Sequence, residues 1–312
     1  MLGSALAHVK WFQDPAPFPT QYGLLLTLPL IAAFAVTAVA VGVAWTIQHR
    51  VSEPAFVRAL ERFAPAGPLV LGLHLGIALV VAAIVGLLFV PSLQVGGETF
   101  GLGILVVEGM CGVMIILGLA TRAAAVLLAL LGIVAMQPFA FESVFEQVHI
   151  LGIAIFLFIV GRGPFSLDRL RGVKPPYEHD DAPAQALTIV RVAAGIGIAF
   201  NALTEKLLDP ALGVALLQKM PFLNVARPFG IGDAQFVFLA GLAEFLIGIV
   251  IVSGQLTRPV MAIGAVLFTV SLPVFGWSEL LGHLPYYGIM FLLFIAPNAD
   301  SWHARRAMRP AA

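Results

Sequence analysis

The chain contains one stretch twice: residues 108–152 read EGMCGVMIILGLATRAAAVLLALLGIVAMQPFAFESVFEQVHILG, and residues 244–288 read EFLIGIVIVSGQLTRPVMAIGAVLFTVSLPVFGWSELLGHLPYYG. Each copy has three apolar segments, joined by a Thr-Arg turn and then by a polar, aromatic turn. At one constant offset the copies share Glu108 with Glu244, Gly112 with Gly248, Gly118 with Gly254, Thr121-Arg122 with Thr257-Arg258, Phe139 with Phe275 and Gly152 with Gly288. Matches in one register over this length indicate an internal repeat.

The composition is typical of a membrane protein. Hydrophobic residues make up 60% of the chain, charged residues 11%, and the mean hydropathy is +0.99, far from the mix of a soluble domain. A helix of about 20 apolar residues crosses a bilayer. Runs of suitable length lie at residues 22–46, 67–90, 99–119, 122–139, 146–161, 186–204, 234–254, 258–275 and 283–297. They predict an all-α, polytopic transmembrane helix bundle of about nine spans, since lipid offers open backbone groups no partner.

The repeat divides these spans into two halves. Four spans each is an even number, so the halves share one orientation and are parallel four-helix repeats. The predicted organisation is an external tail, extra transmembrane helix and cytoplasmic amphipathic segment at residues 1–66, a first repeat at 67–170, a cytoplasmic linker at 171–185, and a second repeat with a basic tail at 186–312. Within the linker, His179 and Asp180-Asp181 are interpreted as solvated loop residues. DPALGVALLQKMPFLN, from Asp209, predicts a short external amphipathic helix in the membrane interface.

Lys and Arg residues predict the orientation. Arginines follow the first span, occupy both Thr-Arg turns and the linker, and end the chain. By the positive-inside rule this side is cytoplasmic, which places the N-terminus outside and the C-terminus inside a bacterial-type cytoplasmic (inner) membrane. The polar, proline-rich start shows no cleavable signal peptide. Tryptophans lie near predicted span ends, as interfacial aromatics do: Trp11, Trp45, Trp277 and Trp302.

Several classes of site are excluded by composition. Cys111 is the single cysteine and lies inside a span, which rules out disulfides within the chain and Cys-rich metal or iron–sulfur centres. It is interpreted as a small core residue. The formal net charge is zero and the basic clusters are short, so nucleic acid is not expected as a partner. A nucleotide-binding glycine loop is not expected either, because the Gly-x-Gly pairs lie in or beside spans with no preceding strand.

Two glutamates stand out because of their depth. Glu108 and Glu244 each lie about ten residues into a span, or roughly 15 Å, near the midplane of a core ~30 Å thick. Ionisable groups at this depth are costly and usually functional. Two interpretations remain open: a proton relay to a quinone or substrate, or a structural hydrogen bond across the helix contacts that Gly112 and Gly248 permit.

The external turns carry the richest sets of candidate residues. Glu142, Glu146 and His149 follow one another at helical spacing, and so do Glu279 and His283. Carboxylates with imidazole suit proton transfer or the binding of zinc, copper or non-haem iron. The alternative is that these side chains are simply polar residues at solvated helix ends. Since the two sets lie at matching ends of the halves, they are candidates to converge. Haem b would need His149 and His283 on facing helices.

Three arginines have simpler interpretations. Arg122 and Arg258 each follow a threonine expected to cap the next helix, and are expected to reach lipid phosphates. Arg191 lies several residues inside the sixth span, where it either snorkels or pairs with a carboxylate.

The second half resembles the DoxX/DoxD-type four-helix membrane module over residues 186–300, and the first half does so less closely over 67–170. The resemblance is carried by Arg191, Glu205-Lys206, Ala243-Glu244 with Gly248, Gly254 with Thr257-Arg258, and the His-Leu-Pro-Tyr-Tyr-Gly run from His283 to Gly288. The chain departs from the module by its tandem arrangement and extra helix. The first copy also has His74 near the place of Arg191 and lacks the Glu-Lys pair.

The resemblance implies a small membrane subunit of a redox complex, linked to quinone reduction with sulfur compounds or to oxidative stress. In that interpretation, Glu244, Glu108, Glu279 and His283 are catalytic candidates. His149, His283, Arg191 and Tyr286 are cofactor-binding candidates, and Glu142, Glu146, His149 and His283 are candidate metal ligands. Quinone is favoured over a metal or haem b. The expected partners are lipids and redox subunits, and a homo-oligomer is compatible with the pattern. The alternatives are a small-solute or metal transporter, in which the same carboxylates bind solute, and a non-catalytic assembly factor.

Overall fold

A computed structural model describes residues 8–173 and 183–297. Within these ranges the regular structure is helical, without strands, and one isolated β-bridge joins Leu87 to Gln94. The α-helices are α1 (Leu28–Arg50), α2 (Ala55–Ala59), α3 (Gly67–Ile84), α4 (Thr99–Leu117), α5 (Thr121–Ala135), α6 (Phe141–Phe145), α7 (Val148–Val160), α8 (Leu167–Leu170), α9 (Ala184–Ala202), α10 (Pro210–Lys219), α11 (Asp233–Ser253) and α12 (Thr257–Ile295). The all-α prediction is thus confirmed for this part of the chain. Most of the predicted linker, including His179 and Asp180-Asp181, and Trp302 in the basic tail lie outside it.

Six helical stretches are long and apolar enough to cross a membrane, which indicates a membrane protein. They are Leu28–Arg50, Ala55–Ile84, Thr99–Leu117, Ala184–Leu207, Asp233–Ser253 and Thr257–Ile295. The stretch Ala184–Leu207 joins α9 to the π-helical turn Leu203–Leu207. Two further apolar helices, α5 and α7, are shorter.

Helix α12 turns back on itself at Gly276. This glycine has φ 66° and ψ −141°, a conformation available only without a side chain. The guanidinium of Arg258 donates to the carbonyl of Ala296 at 2.9 Å, so the two ends of α12 lie side by side. Thr269 and Tyr287 are also joined, at 3.1 Å. Residues 257–275 and 277–295 therefore form two antiparallel arms.

The Thr-Arg turns of the two copies share one backbone conformation. Gly118 and Gly254 both end their helices in the left-handed region, at φ 62° and 73°. Two residues later, Ala120 and Leu256 are left-handed as well, at φ 46° and 49°. The capping prediction is wrong, because neither threonine side chain caps its helix. Asp168 accepts the Thr121 amide at 2.9 Å instead.

Glycines hold the closest helix contacts of both copies. A Cβ on Gly112 would lie 2.8 Å from the carbonyl oxygen of Gly76, so α4 approaches α3 backbone to backbone. A Cβ on Gly248 would lie 2.7 Å from the carbonyl oxygen of Gly195, which brings α11 equally close to α9. These glycines act as small contact residues between helices.

The second predicted span ends earlier than expected. Helix α3 stops at Ile84, and the chain then forms a small buried hairpin in which the Leu88 amide donates to Leu93 at 2.8 Å. Leu88, Phe89 and Val90 are at most 2% exposed. Backbone that leaves a helix inside a bundle has to find internal hydrogen-bond partners, and this hairpin supplies most of its own.

One apolar core joins the two copies. It contains Leu71, Leu75, Leu128, Ile153, Leu187, Ile289 and Leu293, among others. A second cluster packs Val9 of the N-terminal segment against α10 and Val237 of α11. The predicted interfacial helix α10 does form, capped by Asp209. However, its apolar residues Leu212 and Leu216 are buried within the protein.

Candidate functional site

Buried polar side chains gather at the end of the bundle that residues 8–13 cover. All are at most 8% exposed, and we call them the polar cluster: Glu146, His149, Asn201, Thr204, Glu205, Lys206, Glu244, Ser271, Glu279 and His283. They come from the start of α7, the end of α9 with its π turn, the middle of α11 and both arms of α12. Burying so many polar groups without a functional or structural use would cost considerable free energy.

Lys206 and Glu244 form the central ion pair of the cluster. The Lys206 ammonium lies 2.5 Å from both carboxylate oxygens of Glu244. The π-helical turn Leu203–Leu207 swings Lys206 toward α11, where an α-helical continuation would aim it differently. Glu244 is therefore paired, and this contact stabilises the packing of α9 on α11.

Glu146 connects the cluster to the N-terminal segment. Its carboxylate accepts from Lys10 and, at 3.2 Å, from the Thr204 hydroxyl. Burial lowers the pKa of Lys10, but the charges of Glu146 and Glu205 outweigh burial and raise it overall. Glu142, one turn before Glu146, points elsewhere and accepts from Thr20 and Tyr22.

Two histidines and a tyrosine form the aromatic part of the site. The ring of His149 stacks on Tyr286 at 4.1 Å between centroids, and the ring of His283 stacks on Phe268 at 3.9 Å. Tyr286 lies edge-on to His283 at 6.5 Å. Within the described ranges, the ring nitrogens of both histidines and the Tyr286 hydroxyl are buried without a well-formed hydrogen bond.

Glu279 lies beside His283 on the second arm of α12. One of its oxygens accepts from the Ser271 hydroxyl at 2.7 Å, and the same oxygen is 3.3 Å from the His283 Nδ1, although not aligned for a hydrogen bond. The other oxygen has no partner among the described residues. A carboxyl, an imidazole and a phenol within one buried site are suited to holding and exchanging protons.

The N-terminal segment His8–Gln13 closes the site. The Val9 amide donates to Glu205 at 2.6 Å, and the His8 ring nitrogen lies 3.8 Å from the same carboxylate. The Trp11 indole packs on Gly282, where a Cβ would lie 2.1 Å from the ring. Trp11 thus packs against the protein, and its interfacial position stays a prediction. Trp45 and Trp277 are at least half exposed, in keeping with that prediction.

The four predicted metal ligands do not form one centre. Glu142 is turned toward Tyr22, Glu146 is paired with Lys10, and the two histidines stack on different rings. Among residues 8–173 and 183–297, no group of three or more His, Cys, Asp or Glu side chains is placed to hold a metal ion.

Two predicted site residues, Glu108 and Arg191, lie outside the cluster, and so does Arg258. Glu108 accepts the amide of Phe89, at 2.7 Å, and so stabilises the buried hairpin after α3. Arg191 donates to the carbonyls of Ile251 and Val252 at the end of α11, so it neither snorkels nor needs a carboxylate. Arg258 is 4% exposed and binds Glu53 and Glu61, each at 2.7 Å, so it does not reach lipid phosphates. Arg122 is exposed and Cys111 is fully buried.

Sequence reasoning missed the covering segment and the partners of the acids. The run HVKWF, from His8, was assigned to a polar external tail, although its two aromatic rings and Val9 are a signal of packing. Glu205 and Lys206 form part of a sequence motif, but their partners depend on the π turn, which the local sequence does not predict. Asn201 and Ser271 resemble ordinary polar residues of a span.

Comparison with known proteins gives no relatives for this chain. No family model matches it, no curated protein matches its sequence, and no solved structure matches its fold.

The contact of Glu108 with Phe89 leads to a stability prediction. Phe89 is left-handed, at φ 66°, and within the described ranges its amide donates to Glu108. We expect Glu108→Leu to lower the free energy of unfolding by about 1–3 kcal/mol, because it leaves a buried amide unsatisfied. Glu108→Gln keeps an acceptor oxygen and should cost less than about 1 kcal/mol. Thermal unfolding in detergent measures both, and equal losses would contradict this role.

The contact of Lys10 with Glu146 leads to a prediction about the covering segment. Lys10→Glu would place a third carboxylate beside Glu146 and Glu205, and breaking a buried pair costs about 3–5 kcal/mol. We expect the segment to be released, lowering its docked fraction by more than about tenfold. Fluorescence reports this when Trp11 is the only tryptophan, since its emission should shift to longer wavelength. Lys219→Glu, at an exposed position of α10, is the control and should change nothing.

Proposed function

We propose that this chain is the membrane-embedded subunit of a quinone-linked redox assembly, and that the polar cluster binds the quinone head group and supplies its protons. The observation that carries the proposal is a set of buried polar groups that lack a well-formed hydrogen bond in the part of the chain that the structure describes: the rings of His149 and His283 and the Tyr286 hydroxyl. Such groups are rarely left unpaired in a folded protein. Quinone carbonyl oxygens accept hydrogen bonds, so these donors fit that head group.

The residues of the cluster have separate tasks in this proposal. A quinone accepts two electrons and two protons to become a quinol, and a partner redox subunit supplies the electrons. Glu279 and His283 supply the protons at the reacting end, where a Glu279 oxygen and the His283 Nδ1 lie 3.3 Å apart. Ser271 orients Glu279 through its 2.7 Å hydrogen bond. Lys206 holds Glu244 in place through their contact of 2.5 Å, and the packed bundle excludes bulk water.

We also propose nine crossings in two parallel repeats, in the orientation that the arginines predict. Six long helices, two shorter ones and the return of α12 at Gly276 support this count. The common turn conformation and the paired glycines support the repeat. An N-terminus outside the cytoplasmic membrane would place the polar cluster on the outer side. Reporter fusions after residues 20, 66 and 182 test the orientation, and a cytoplasmic signal at residue 20 would overturn it.

The transporter interpretation gains no comparable support. It requires helices broken within a crossing at matching places in the two halves. The break in α12 at Gly276 lies instead at the turn between two arms, as the gap between α5 and α7 does in the first copy. The DoxX-type resemblance stays a prediction.

Quinone binding to the purified protein tests the function. The protein is extracted in mild detergent, its bound lipids are analysed for quinone, and binding of 2-methyl-1,4-naphthoquinone and of a short-chain benzoquinone is measured by equilibrium dialysis. We expect binding of at least one quinone, and a loss of more than about tenfold in His283→Gln, the equivalent of one hydrogen bond at a charged or buried site. His49→Gln, on the exposed end of α1, is the control. If neither quinone binds, the proposal is wrong.

A further inference from the structure

The Trp11 indole lies in a slot between the backbone of α12 and the rings of two histidines. One wall is the backbone of α12 at Gly282, which the ring approaches more closely than any side chain would allow. A second side is formed by His283, whose ring lies 5.1 Å from that of Trp11 at an angle of 55° and stacks on Phe268. The third is His8, at 4.2 Å. Aromatic rings at these separations are in favourable contact.

The slot adjoins the unpartnered groups of the polar cluster. His283 is fully buried, and neither of its ring nitrogens has a hydrogen-bond partner within residues 8–173 and 183–297. Glu279 next to it has one unpartnered oxygen. Trp11 covers these groups but does not bond to them. A ring with the same outline and with oxygen substituents would satisfy donors that the indole leaves unused.

The segment that carries Trp11 is attached by separate polar and apolar contacts rather than by continuous secondary structure. Val9 and His8 contact Glu205, Lys10 contacts Glu146, and Phe12 packs on Phe275 at 4.4 Å. The single turn Val9–Trp11 is too short to be stable alone. Losing these contacts would therefore release the segment as a unit, while the helices behind it keep their own core.

We infer that Trp11 is an internal stand-in for the ligand: the slot at Gly282 and His283 takes a two-ring naphthoquinone head group, and residues 8–13 leave when it binds. The inference rests on the proposed quinone site and adds the class of quinone and the means of access. An indole and a naphthoquinone are both flat, fused two-ring systems, whereas a benzoquinone fills only part of the slot. Segment and ligand compete for one place, so the docked segment lowers the apparent affinity.

Competition makes opposite predictions for two neighbouring variants. Trp11→Ala empties the slot and should tighten binding of 2-methyl-1,4-naphthoquinone by several-fold, because the ligand no longer displaces the indole. Gly282→Ala places a methyl group in the slot and should both expel Trp11 and weaken that binding by more than about tenfold. Gly42→Ala, at a helical glycine of α1 with nothing within 4 Å, is the matched control and should leave the affinity unchanged.

The position of the segment is followed directly by ¹⁹F NMR. Protein in which Trp45, Trp277 and Trp302 are replaced by phenylalanine carries 5-fluorotryptophan at position 11 alone. We expect the naphthoquinone to move this resonance to its solvent-exposed position in a saturable way, and a one-ring benzoquinone to do so at concentrations at least several-fold higher. If Trp11→Ala does not fold, this titration still decides the question.

The outcomes separate this inference from the function beneath it. If the naphthoquinone binds while the Trp11 resonance stays in place, or if Trp11→Ala weakens binding, Trp11 does not occupy the place of the ligand. The proposed quinone site would still stand in that case. If one-ring and two-ring quinones bind equally, the ligand class is wrong. If no quinone binds even to Trp11→Ala, both the proposed function and the inference about Trp11 are wrong.

Discussion

Replacing Lys206 with methionine is expected to lower the free energy of unfolding by about 3–5 kcal/mol, the usual cost of leaving one member of a buried ion pair alone. Glu244 is 8% exposed, and its two oxygens have Lys206 as their hydrogen-bond donor. Glu205 is near enough to repel the charge that remains. Thermal or urea unfolding in detergent, followed by circular dichroism, measures the loss.

A second variant separates the pair from its surroundings. Lys206→Met combined with Glu244→Leu removes both charges, so it should recover most of the lost stability, since apolar replacements of whole buried pairs are often neutral. If the double variant is as unstable as the single one, the charge of Glu244 is not the cause. If quinone binding fails in a double variant that folds, the ion pair contributes to the site as well.

Adding a methyl group at the paired glycines should also lower the stability of the protein. In Gly248→Ala the new Cβ would lie 2.6 Å from the Ala199 amide nitrogen, and in Gly112→Ala it would lie 2.8 Å from the Gly76 carbonyl oxygen. Backbone cannot move aside as a flexible side chain does, so each helix pair must separate. We expect each variant to lose about 1–3 kcal/mol or more of unfolding free energy.

The control for this experiment lies in the same repeat. Gly132→Ala, in α5, places its methyl group where nothing lies within 4 Å, and alanine favours the helix. We expect Gly132→Ala to be neutral or slightly stabilising. Similar melting temperatures for Gly112→Ala and Gly132→Ala would show that α3 and α4 are not held as closely as described.

The sequence predicted most helices well, because apolar runs and the breaks between them are strong local signals. Helices α4 and α11 begin and end within two residues of the predicted runs. The length of the helix predicted at 67–90 was overestimated, since hydropathy does not distinguish a buried apolar hairpin from the end of a helix. The prediction that Thr121 and Thr257 cap their helices was wrong. At Thr121 the backbone amide donates to Asp168, a residue distant in sequence that a local pattern does not identify.

The candidate site was predicted in part. Glu146, His149, Glu279 and His283 do lie in the polar cluster, as their matching places in the two halves suggested, and Tyr286 stacks on His149 beside them. Glu108 and Glu244 have equivalent places in the repeat but different partners, a backbone amide and a lysine. That difference arises from the connections between spans, where the copies diverge, and a local pattern does not specify which distant groups those connections bring together.

The return of α12 at Gly276 bears on how the protein enters its membrane. At about 1.5 Å per residue each arm is roughly 28 Å long, close to the ~30 Å of a bilayer core. One glycine joins them, so there is no tether that would let the first arm settle in lipid while the second is still being synthesised. We expect the 39 residues of α12 to insert as a pair in one event. A cysteine placed in the first arm should therefore react with a water-soluble thiol reagent in nascent chains whose second arm has not yet left the ribosome, and should be protected once that arm has emerged.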